Sequence, residues 1–169
     1  MDAIALLKQL VADSHWWYQG TVEGLTEEQA NFVPPGTTHP ISALIAHTLL
    51  SEDNIVNRRL RGGETIWDRD GWSARTGLPN LSGADEAAYR SFRMHPSALD
   101  AYRDAVWGST AAYLDTLTEA DLDRELEFRP GATMTVASYF TRLMVNNNFS
   151  HVGEISVVKG LQGLKGYPV

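Results

Sequence analysis

Asn147, His151 and Glu154 fall at i, i+4 and i+7 in the run Asn147-Asn148-Phe149-Ser150-His151-Val152-Gly153-Glu154-Ile155. Projected at about 100° per residue, they share one helical stripe with Val136, Phe140, Leu143, Met144, Ile155, Val158 and Leu161. Polar groups on a core-facing stripe are costly unless each other, water or a metal ion satisfies them. The i, i+4 spacing stacks two side chains closely enough to share one ion, and histidine is the commonest residue for that task. A hydrogen-bonded cluster of core residues would use the same spacing, and spacing alone leaves both readings open.

Other histidines could join them. His47 lies at the edge of an apolar helical surface, one turn before Ser51 and Glu52, where it could partner the first group or sit in a helix–helix seam. His15 is in line with Ile4, Val11 and Val22 and points inward, toward a core hydrogen bond or a place in a substrate pocket. His39 and His95 each precede a proline and read as turn residues, and Trp16-Trp17 reads as cover for a seam or a dimer contact. Glu119 and Asp121 fit a solvated helix start rather than a pair of catalytic carboxylates. No nucleophile elbow, phosphate-binding glycine loop, HExxH or dinucleotide fingerprint occurs. With no cysteine in the chain, thiolate metal sites, disulfides and cysteine nucleophiles are excluded.

The elements that must position these residues are helices. Periodicity predicts four long ones, over residues 2–23, 40–61, 97–117 and 133–161, with a capping-box turn at 26–29. Residues 41–50 are apolar nearly all round, as in a helix with neighbours on several sides. Residues 62–96 are rich in glycine, carry Trp67 and Trp72, and read mainly as a long connection with a short helix within 82–94. Leu25-Thr26-Glu27 with a Pro-Gly turn and Leu117-Thr118-Glu119 with Pro130-Gly131 echo each other, which suggests two helix–loop–helix halves. The expected fold is all-α, a four-helix bundle with a long crossover between helices two and three.

A length of 169 residues fits one domain over 1–169, and 43% apolar with 21% charged residues is ordinary for a globular chain. A net charge of −7 argues against a nucleic-acid surface. No targeting or membrane segment is visible, so the expectation is a cytoplasmic protein with no membrane partner.

The Leu44-Ile45-Ala46-His47 helix and the 147–155 run together resemble the DinB-like (DinB/YfiT) superfamily, as do Leu25-Thr26-Glu27-Glu28-Gln29 and the closing Lys159-Gly160-Leu161-Gln162-Gly163. The resemblance covers most of the chain, with 62–96 the least matched. It implies a four-helix bundle, commonly a homodimer, with a divalent metal such as zinc or nickel at one end and a small-molecule substrate. His47 matches the family's first histidine ligand and His151 its last, while Asn147 stands at the middle position where the family pattern has histidine. The resemblance further implies thiol-dependent transfer with a low-molecular-weight thiol, or else hydrolysis. Glu154 would then serve as a base or orienter, and His15 and Glu52 as pocket residues. Because asparagine is a weak neutral ligand, the alternative is a non-enzymatic dimeric bundle with a degenerate metal site.

Overall fold

The computed structural model describes residues 2–169. Helix α1 (Ala3–Val22) starts where the Asp2 carboxylate accepts the Ala5 N–H at 2.7 Å, and it buries Leu7, Val11, Ser14, Tyr18 and Thr21 at helical spacing. The capping box at Thr26 and Gln29 opens α2 (Glu27–Asn31), as its sequence predicts. Helix α3 (Ile41–Asp53) is buried from Ile41 to Leu50 with His47 the partial exception, in keeping with its all-round apolar sequence. It continues without a break as a π-helical stretch, Asn54–Leu60.

The crossover is more ordered than its composition suggests. It contains α4 (Ile66–Arg69), α5 (Trp72–Thr76) and α6 (Glu86–Ser91), and it buries Ile66, Trp67, Trp72, Leu81, Phe92 and Met94. Asp53, fully buried at the end of α3, is the hook on which it hangs. One carboxylate oxygen accepts the Ile66 N–H and the Asn57 amide, and the other accepts the Trp67 N–H and the Tyr102 hydroxyl, all at 2.7–2.9 Å. Burial pushes the Tyr102 phenol well up, so it stays protonated and donates. Further along, Arg90 donates to the Thr38 carbonyl at 2.9 Å, and Asn31 pairs with the Met94 backbone.

A 3-10 turn (Pro96–Leu99) leads into α7 (Asp100–Leu114), and α8 (Glu119–Leu122) is a short polar helix, as expected for Glu119 and Asp121. The expected start of helix four at residue 133 is corrected by a hairpin. Strand β1 (Glu125–Arg129) pairs antiparallel with β2 (Ala132–Thr135), with Leu126 opposite Met134 and Glu127 opposite Thr133. Its turn uses Gly131 at φ 76°, a left-handed conformation suited to glycine. Thr133 and Thr135 are β-branched and alternate with Met134, a strand pattern that outweighs helix propensity once Leu126 offers a partner. The helix begins only after Thr135, whose hydroxyl accepts the Ser138 N–H.

That last helix runs as α9 (Val136–Ser138), a π-helical stretch (Tyr139–Val145) and α10 (Asn146–Gly160). Helices α1, α10, α3 and α7 pack in a ring, α1 against both α10 and α7 and α3 against both as well. The fold is all-α apart from the hairpin, a four-helix bundle with a crossover between α3 and α7. Among the described residues, no helix is long and apolar enough to cross a membrane.

Candidate metal and small-molecule site

His47 on α3 and His151 on α10 meet edge to face, with ring centroids 4.7 Å apart and an interplanar angle of 80°. Each ring has its outer nitrogen held. The Tyr89 hydroxyl donates to the Leu81 carbonyl at 3.1 Å, so its oxygen is free to accept the His47 Nδ1–H at 2.7 Å. His151 Nδ1–H donates to Glu154 Oε2 at 2.7 Å. When neutral, both rings therefore keep their Nε2 lone pairs, and the nearest protein partner of His47 Nε2 is the Ser51 hydroxyl at 3.3 Å.

Electrostatics favours the neutral state of His47. Burial, helped by the neighbouring His151, pulls the His47 imidazole down to about 4, so it is neutral at pH 7. The hydrogen bond from His151 holds the Glu154 carboxyl below its ordinary value, so it is an anion that orients the ring. Beside them, Asn147 has a buried amide nitrogen with no partner among the described residues.

His47 and Asn147 open onto a cavity of about 400 Å³ that also touches Asn54, Arg59, Tyr89 and Tyr139. The two π-helical stretches supply Asn54, Ile55, Arg59, Tyr139 and Leu143 to its wall. π-helical turns recur at functional sites because the wider coil redirects side chains. The crossover contributes Ser82, Gly83 and Tyr89. Imidazole nitrogens are donors of the kind divalent late-transition ions favour, and a phenol and a carboxylate behind them are the usual support for histidine ligands; among the described residues no three His, Asp or Glu side chains are grouped to hold an ion. Asn147 adds a neutral amide, the weakest of the three donors.

The structure thus brings His47, Asn147, His151 and Glu154 together. It places His15 and Glu52 elsewhere in the bundle. Glu52, 1% exposed, accepts from His15 Nε2 with both oxygens at 3.0 Å and from the Thr110 hydroxyl at 2.7 Å. Tyr89, Arg59 and Asn148 escaped sequence reasoning. His39, read as a turn residue, packs on the Tyr89 ring at 5.1 Å, and its buried Nδ1 has no partner among the described residues. Only proximity in space marks these residues, because none repeats at a spacing that ties it to His47 or His151.

The family model of the DinB superfamily matches residues 18–155, which include every residue of this site. A crystal structure of a conserved protein from Enterococcus faecalis superposes with a TM-score of 0.78 at 19% identity, covering 95% of this chain and 97% of that one. At that identity the likeness speaks for the fold. No curated protein matches the chain. The match over most of its length places the chain in the DinB superfamily.

Proposed function

We propose that the cavity takes a small molecule and that His47 and His151, with Asn147 as a weak third ligand, hold a divalent zinc or nickel ion at its edge. The observation that carries this reading is the pair of imidazoles 4.7 Å apart, each with its Nδ1 engaged, and with the Ser51 hydroxyl at 3.3 Å the partner of His47 Nε2. A bound ion would lower the pKa of a coordinated thiol or water and so provide a nucleophile at neutral pH. The protein's own residues do the rest. Tyr89 and Glu154 hold the two ring tautomers, and Glu154, an anion beside His151, can take up a proton released at the site. Arg59 places a positive charge on the cavity wall that suits an anionic substrate. A chain without cysteine must receive any reacting thiol as a co-substrate, in keeping with thiol-dependent transfer, and hydrolysis would use water instead.

Metal analysis of tag-free protein, with calorimetric titration of zinc and nickel, tests this reading. Stoichiometric binding that His151→Ala abolishes is the expected result; no binding of either ion, or unchanged affinity in the variant, overturns it. The second reading, a metal-free binding protein, is favoured by Asn147 and would take its place. We also infer a homodimer. Trp16 on α1 and Val157 on α10 are 55% and 62% exposed, on two helices that pack together. A monomer mass by light scattering at micromolar concentration would refute it.

A further inference from the structure

Glu52 is a buried charge, 1% exposed, that the metal and small-molecule site does not employ. One residue from each helix of the ring converges on it: His15 from α1, Thr110 from α7 and Asn148 from α10, whose amide nitrogen lies 3.4 Å away. A carboxylate only accepts, so His15 Nε2 carries the hydrogen, and whenever the ring is neutral its lone pair lies on Nδ1. The His15 ring is fixed a second way, stacked on Trp107 at 4.2 Å and 11°. Its Nδ1 makes no hydrogen bond among the described residues.

His15 and Trp107 border a cleft of about 210 Å³ between α1 and α7. Its walls are Val11, Ala12, Ala111 and Leu114, and the Lys8–Asp115 ion pair, 2.7 Å long, lies at its edge. No residue of this cleft borders the His47 cavity. Drug-sized ligands occupy about 300–1,000 Å³, so this volume suits a single ring. Apolar methyl groups and an indole favour an aromatic body, and His15 Nδ1, without a partner among the described residues, can accept one hydrogen bond. Filling the core around Glu52 would have needed only an apolar side chain on α3. Instead a buried carboxylate orients an imidazole whose second nitrogen is left for a ligand.

We propose that this cleft is a second binding site, for a one-ring aromatic molecule bearing a single O–H or N–H donor, which His15 Nδ1 accepts. Phenol is the probe and benzene its control without a donor, each titrated at mildly alkaline pH into the full chain. The His15 and Trp107 ring resonances are followed by NMR. Phenol is expected to shift both saturably, and benzene to bind about ten-fold more weakly, the worth of one hydrogen bond. His15→Phe keeps the stacking on Trp107 and should erase the preference for phenol over benzene. Because that variant strips Glu52 of a donor and could fail to fold, Ala111→Phe provides an independent check. It fills the cleft from an exposed position and leaves the His15–Glu52 pair intact. It should abolish phenol binding with no effect on metal titration. Absence of shifts at saturating phenol, equal affinity for benzene and phenol, or undiminished binding in Ala111→Phe would each overturn the proposal.

Discussion

Removing the Asp53 carboxylate should unhook the crossover from the bundle. In Asp53→Ala, four buried donors lose their acceptor: the Ile66 N–H, the Trp67 N–H, the Asn57 amide and the Tyr102 hydroxyl. A buried donor left unpaired costs about 1–3 kcal/mol, so the gross loss is roughly 4–12 kcal/mol. Two effects reduce it. The wild-type carboxylate has its own desolvation penalty, which the variant escapes, and water can enter the gap. A net loss of about 3–4 kcal/mol is therefore expected, a large share of the roughly 5–15 kcal/mol that holds a domain together. Asp53→Asn keeps the shape and one oxygen but turns an NH₂ toward donors, and should cost about 2 kcal/mol. Urea unfolding followed by tryptophan fluorescence measures both, and trypsin cleavage at Arg69 and Arg75 reports local release of the crossover. An Asp53→Ala loss below about 1 kcal/mol, with cleavage unchanged, would refute the reasoning.

Tyr89→Phe removes the acceptor of the His47 Nδ1–H and should weaken zinc or nickel binding by about 10–100-fold while leaving the unfolding midpoint nearly unchanged. Calorimetric titration checks this, and an unchanged affinity would detach Tyr89 from the site. In metal-free protein, His47 has a folded value of about 4 against 6.5 when unfolded, so below pH 6.5 the unfolded chain takes up the proton first. Its contribution to stability is thus intact above pH 6.5 and falls away down to about pH 4, a loss on the order of 3 kcal/mol. His47→Asn should flatten that part of the urea-measured pH profile; an identical slope in both proteins would contradict it.

The helices were readable because their apolar residues repeat at helical spacing and their ends carry caps such as Asp2 and Thr26. The hairpin was not, since a four-residue strand inside a helix-compatible stretch declares itself only through its partner. Projection at a constant angle found the buried face of the last helix, since Val136, Phe140, Met144, Ile155 and Val158 are all buried. It missed Asn148, beside the drawn stripe and 2% exposed, and it included Leu161, which follows the end of α10 and is 54% exposed. His47 and His151 survived as neighbours because each was inferred from its own helix. Glu52 and His15 were each singled out, but 37 residues separate them and only packing reveals that they bond to each other. Tyr89 had no local signature at all, since its role depends on where the crossover returns to the bundle.

The crossover divides the labour of the cavity between two parts of the chain that can change separately. The imidazoles stand on helices whose buried neighbours tolerate little substitution. The opposite wall, at Ser82 and Gly83, is solvent-exposed. A side chain exchanged at Ser82 changes what the cavity admits without disturbing the core or the histidines. Ligand preference among relatives with this architecture can thus drift through the crossover while the helices that carry the histidines stay as they are, and a library confined to Ser82 and its neighbours is the economical route to redirecting it.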